Sequence, residues 1–327
     1  MRAVRIHDWN QPPSVDEVPV PVPAPGESLI RVEAAAVAHL DLTVASGTFG
    51  IKPELPYVGG VEGCGTVVES DRFEPGTRVV LRGGGLGLLR AGTWAEYVTV
   101  KSKALTAVPP GLSAELGATF WVPTTTAHVA LHTVARLGSW SPETGDSAAA
   151  ETVVVGGAAG AVGSMVTQLA LRAGANVIAL VAGPEQAEDV ATGAEVVTPQ
   201  DEARIAELAK ERPATLLVDT IGGVDLTSRA RWVRPGGRAA SIGYVGGTEV
   251  RIELSNWLLD DVALLPVNMI RREQEARAVV AELGQLLVDG QLRLNVESFG
   301  LGDAGRAIEL LRAGKLRGRG VLVPDAL

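Results

Sequence analysis

The stretch that most restricts how this chain can fold begins at Thr152 and reads TVVVGGAAGAVGSMVTQLALRAG. A run of β-branched residues enters a turn made of small residues, and the turn opens directly into a helix-forming segment. Beyond it, strand-like runs (NVIALVAG, TLLVDTIGG, GRAASIGYVGG) alternate with helix-like ones (DEARIAELAKE, VDLTSRARWVRPGG). That rhythm predicts a parallel sheet with helices on both faces, since a strand returns parallel to its neighbour only through a crossover.

The turn also carries chemistry. Ala158, Ala159, Gly160, Ala161, Val162 and Gly163 form A-x-G-x-x-G, one residue removed from the dinucleotide fingerprint G-x-G-x-x-G. Gly160 lets the backbone approach a pyrophosphate, Gly163 permits close helix–strand packing, and the helix N-terminus offers free N–H groups. The spacing predicts a bound dinucleotide; a tight turn without a ligand is the alternative. The end of the next strand selects between dinucleotides. Val181, Ala182, Gly183 and Pro184 stand where an acid would grip the ribose 2′-hydroxyl of NAD. The missing acid favours NADP(H). No Lys or Arg is present there for the 2′-phosphate, and Glu185 follows at once, so NAD(H) stays open.

The first third differs in kind. SLIRVEAAAV, GTVVES, TRVVLR and TWAEYVTV read as strands broken by Gly and Pro, and VPVPVPAPGE reads as an extended edge segment because alternate prolines remove ladder donors. Two helical runs, SAELGATF and TTTAHVALHTVARLG, lead to a polar loop at 141–150. Near the C-terminal end, EQEARAVVAELGQLLVDG predicts a helix and GRGVLVP a strand. A length of 327 residues suits two domains. A net charge of −9 argues against a nucleic-acid partner, which needs a concentrated basic face. A single cysteine excludes an internal disulfide and a multi-cysteine zinc site. The N-terminus MRAVRIHDWN lacks the apolar core of a signal peptide and no run reaches membrane-span length, so a cytoplasmic protein is expected.

AAVAHLDLTVASG, PYVGGVEGCGTVVE, GTWAEYVTV, TTTAHVAL, GGAAGAVG, VDTIGG and GRGVL together resemble the medium-chain dehydrogenase/reductase superfamily, in its zinc-free quinone oxidoreductase (zeta-crystallin-like) branch. The resemblance implies an α/β fold: a Rossmann doubly wound parallel sheet domain over 124–268 and a β-rich GroES-like substrate domain over 1–123, completed by 269–327. It also implies a substrate cleft between them and a homodimer. Zinc alcohol dehydrogenases have a Cys at the position of Ala38 and Gly-His-Glu at Gly60, Val61 and Glu62; neither Ala38 nor Val61 can bind a metal, so no zinc is expected. The zinc-free branch commonly has Asn at Ala38 and tyrosines near Thr43 and Phe49; less polar groups here suggest a different, more apolar substrate. By resemblance Asp41, Thr43, Phe49, Tyr57 and Glu62 line the substrate pocket. Thr126, Thr220, Gly243, Tyr244 and Arg319 join the turn residues in contacting the cofactor.

His39 is the candidate proton donor, because its ordinary pKa lies near neutrality; a histidine of the cleft wall is the alternative. Four glycines around Glu62 and Cys64 in PYVGGVEGCG imply a close approach of backbone to something, and the resemblance implies a thin wall beside the nicotinamide. Cys64 reads as a packed thiol without a base. His128 and His132 have a zinc-compatible spacing but no evident third ligand. The expected activity is hydride transfer from NADPH to an activated C=C or C=O of a small molecule such as an enone or quinone, without metal. A dinucleotide sensor and a non-redox enzyme that re-uses the same cleft are the competing readings.

Overall fold

The computed structural model describes residues 1–139 and 151–324; the loop expected at 141–150 lies outside the described residues. The chain divides into two compact units, Met1–Trp121 with Leu287–Leu327, and Val122–Leu286.

The first unit is built on a seven-stranded sheet. Its strands run in the spatial order Val296–Gly300, Arg319–Val323, Glu27–Val37, Glu62–Glu69, Arg78–Arg82 and Leu105–Ala107, and Tyr97–Lys101 pairs with Glu27–Val37. Glu27–Val37 alternates buried and outward residues at its start and then stays buried through Ala34, Ala35, Ala36 and Val37, as the central strand of a covered sheet must. A smaller sheet joins Ser14–Glu17, Arg2–Ile6 and Tyr57–Val58. Trp94 is wholly buried between them and donates its indole N–H to the Ala36 carbonyl at 2.8 Å.

That tryptophan explains half of the glycine cluster. A Cβ on Gly59 would lie 2.4 Å from the Trp94 ring, and Gly60, at φ +98°, would place one 2.5 Å from the Thr93 hydroxyl. A Cβ on Gly65 would meet the Arg31 carbonyl across the strand pair at 2.3 Å. These glycines serve internal packing within the unit.

The second unit carries a six-stranded, wholly parallel sheet in the order Glu195–Val197, Asn176–Leu180, Thr152–Gly156, Ala214–Asp219, Val233–Ser241, Ala263–Pro266. Counted along the chain this is 3-2-1-4-5-6, with the reversal of order beside Thr152–Gly156, where Rossmann sheets bind their ligand. The expected helix through VDLTSRARWVRPGG is cut short: a helix covers Leu226–Ala230 only, and Val233 already opens the next strand. Pro235 disfavours helical backbone at Arg234 and removes a donor, so the chain extends before it. The helix Trp121–His128 continues as a π-helical turn over Val129–Val134, a wider winding that periodicity does not reveal.

Candidate active site

In the second unit, the buried strand Thr152–Gly156 delivers the chain into the glycine turn, and Gly160 caps the helix Ala161–Arg172 without a side-chain hydrogen bond. The left-handed residue is Gly157, at φ +76°, where a Cβ would lie 2.5 Å from the Thr220 hydroxyl. Ala158 is therefore tolerated at the fingerprint's first glycine: its side chain is buried and its N–H donates to the Leu180 carbonyl at 2.9 Å. Sequence reasoning passed over Gly157, although the doubled glycine at 156–157 was the available signal. A Cβ on Gly163 would fall 2.1 Å from the Gly157 carbonyl oxygen, so helix and turn touch backbone to backbone. Gly157 and Gly163 thus hold the turn tight against the helix, and the helix start at Gly160 suits a pyrophosphate.

Thr220 clamps the turn from the neighbouring strand, donating its hydroxyl to the Gly156 carbonyl at 2.7 Å. Beside it the wholly buried Asp219 carboxylate accepts from the Ile221 and Gly222 N–H groups at 2.8 and 2.6 Å and from Arg229 Nε at 2.5 Å. Gly243 approaches so closely that a Cβ would sit 2.2 Å from the Thr220 carbonyl, whereas Tyr244 is exposed. At the end of the second strand, Val181 is buried and Ala182 exposed, with the Ala182 N–H donating to Gln186 Oε1 at 2.9 Å. Glu185 folds back over this turn: a Cβ on Gly183 would lie 2.4 Å from its carboxylate. A carboxylate thus packs against Gly183 in the turn after this strand. Thr126 is buried in the helix Trp121–His128.

In the first unit, the helix His39–Ala45 and the strands Glu62–Glu69 and Arg319–Val323 gather a polar cluster. Asp41 accepts the Ala38 N–H at 2.9 Å and the Val61 N–H at 3.1 Å, and so ties together the two positions that bear zinc ligands in the related alcohol dehydrogenases. Burial pushes its carboxyl up to about 7, the Glu62 charge adding to the effect while the two N–H bonds and Arg319 oppose it. Glu62 accepts from Arg319 Nη2 at 2.6 Å, and Arg82 Nε stands 4.0 Å from its other oxygen. Arg319 Nε is buried with no hydrogen-bond partner. Of the expected cofactor contacts, Arg319 is thus the one engaged in this cluster. His39 lies at the surface end, its ring held below the usual histidine range by desolvation and by Arg319. The Tyr57 hydroxyl is pushed upward by burial and by the Asp41 charge.

Thr43 gives its hydroxyl to the His39 carbonyl at 3.0 Å, and Phe49 packs against the unit's apolar core. Cys64 is buried, its Sγ 2.8 Å from where a Cβ on Gly117 would stand, and burial chiefly pushes its thiol up to about 12. It carries little thiolate at neutral pH. Ala38 and Val61 have alkyl side chains, so the place that Asp41 organises does not fit a catalytic zinc.

Two families match the chain: residues 24–110 fit the alcohol dehydrogenase GroES-like domain, and residues 161–285 fit the zinc-binding dehydrogenase. The quinone oxidoreductase of Lama guanicoe is 29% identical over 263 residues, 76% of this chain and 75% of that protein. Acrylyl-CoA reductase AcuI of Ruegeria pomeroyi is 27% identical over 322 residues, 96% and 93% of the two chains. The structure of Escherichia coli quinone oxidoreductase complexed with NADPH superposes with a TM-score of 0.83 at 20% identity, covering 99% of this chain and 100% of that one. No described helix is long and apolar enough to cross a membrane. A GroES-like unit, a 3-2-1-4-5-6 parallel sheet with a glycine cradle at its switch point, and these matches place the chain in the medium-chain dehydrogenase/reductase superfamily, in the quinone oxidoreductase branch.

Proposed function

We propose that the protein is a zinc-independent, NADPH-dependent reductase of an activated C=C or C=O in a small, largely apolar molecule. The observation that carries this reading is a tight glycine turn opening the helix Ala161–Arg172 at the switch point of the parallel sheet, in a chain with alkyl side chains at Ala38 and Val61. When bound, the cofactor supplies the hydride. The chain's own part begins at the cradle, where backbone N–H groups of the helix start hold the pyrophosphate and Thr220 keeps the turn in shape.

On the substrate side Asp41 fixes the loop at Val61 to the helix start, and Arg319, neutralised by Glu62, keeps a buried N–H donor unspent. His39 delivers the proton that completes the reduction. The emptied polar lining at Thr43 and Phe49 supports an enone or an apolar quinone over a hydrophilic substrate.

The absence of an acid at 181–184 supports NADPH, while Glu185 packed on Gly183 is the specific observation that supports NADH. We place the enzyme in the cytoplasm as a homodimer: Ala263–Pro266 closes the sheet as an edge strand, and Leu258, Leu259 and Ile270 beside it in the chain are exposed. Purified protein with NADPH or NADH and a panel of enones and quinones should consume reduced cofactor, read as absorbance loss at the nicotinamide band. Tight cofactor binding without consumption by any acceptor would replace the reductase with a sensor, and product without cofactor consumption would replace it with a non-redox enzyme.

A further inference from the structure

Outside both clusters, the second unit brings two imidazoles together. The helix Trp121–His128 passes into the π-helical turn Val129–Val134, and across that junction the His128 and His132 rings stand with centroids 4.7 Å apart and planes 49° to one another. His132 is exposed and His128 half-buried, and the buried His128 Nδ1 has no hydrogen-bond partner. Two tilted imidazole rings thus lie side by side across a π-turn, one of them with an unpartnered nitrogen.

We infer that His128 and His132 form a chelating site for a divalent transition-metal ion, distinct from the zinc position of the family. A metal about 2.0–2.1 Å from one nitrogen of each ring lies roughly 3.2 Å from each ring centre, so centres 4.7 Å apart are within reach of one shared ion. For a site of imidazole donors the ordinary affinity order puts Cu²⁺ ahead of Ni²⁺ and Zn²⁺.

A neutral imidazole offers one nitrogen lone pair to a metal, so the two rings supply two donors. Among the described residues no group of three or more His, Cys, Asp or Glu side chains completes a metal set, so water fills the remaining positions and the ion exchanges readily.

The test is titration of untagged, chelator-washed enzyme with CuCl₂ in a non-coordinating buffer, followed by calorimetry and electron paramagnetic resonance. One Cu²⁺ per chain with two-nitrogen hyperfine coupling is expected, with weaker Ni²⁺ and weaker still Zn²⁺ binding. His132→Ala, at an exposed position, should lower Cu²⁺ affinity by roughly tenfold or more with an unchanged melting temperature, and His128→Gln should do the same. His7→Ala, which removes the other histidine with a close acid (Asp16 at 2.8 Å), should leave it unchanged. No stoichiometric binding, binding indifferent to His132→Ala, or binding lost in His7→Ala would each overturn the site.

Discussion

Replacing Gly163 with alanine tests the dinucleotide turn by steric arithmetic. The added Cβ would stand 2.1 Å from the Gly157 carbonyl oxygen and 2.8 Å from its carbon, both backbone atoms with no rotamer to yield. Ordinary contact begins near 3.5 Å, so helix and turn must separate by about 1 Å or more. Overpacking of this kind costs about 1–3 kcal/mol, and the roughly 1 kcal/mol that alanine gains over glycine in a helix offsets part of it. The net loss is then about 1 kcal/mol, which lowers the melting temperature by roughly 2–4 °C for a unit of this size. Because the turn itself moves, the Kd for NADPH should rise tenfold or more. Gly160→Ala is the graded control. There the Cβ would lie 3.2 Å from the same oxygen at an ordinary φ of −71°, so stability should change by under about 1 kcal/mol while the methyl group still obstructs the pyrophosphate. Thermal unfolding with nicotinamide-fluorescence titration reads both quantities. If Gly163→Ala melts like the wild type and binds cofactor normally, the backbone contact does not shape the site and the reasoning fails.

Glu185→Gln removes the carboxylate packed at Gly183; if that group faces the ribose, the NADPH-to-NADH ratio of kcat/KM should rise by roughly tenfold, a change of about 1.4 kcal/mol. An unchanged ratio assigns cofactor choice elsewhere. His39 donates only when protonated, and its pKa lies below the usual 6.5, so the proton-transfer rate should fall as pH rises through a midpoint under that value. His39→Gln should abolish this limb and spare cofactor affinity; a limb that survives the substitution moves the proton source to another group.

Several of these features were already legible in the order of residues. The strand–turn–helix passage at 152–172, the alternation that follows it and the alkyl residues at Ala38 and Val61 depend on neighbours in the chain, where periodicity and steric preference act directly. The assignment of Arg319 to the cofactor rested on resemblance, and the structure shows it engaged with Glu62, 257 residues away, a partnership that carries no local signal. Asp41 tying the Val61 backbone to a helix start is equally non-local, and so is Trp94 as the reason for Gly59.

Alone, the sequence determined that a glycine-rich turn joins a buried strand to a helix, that it begins a parallel sheet and that no zinc-ligating side chain stands at positions 38 and 61. Only the tertiary structure decided which glycine takes the left-handed backbone, that Glu185 folds back onto Gly183, and that an arginine is buried beside Asp41 and Glu62. The division has a physical cause. Backbone propensity and hydrophobic period are properties of short segments, whereas burial, ion pairing and close approach come into being only when distant segments exclude water from the same place.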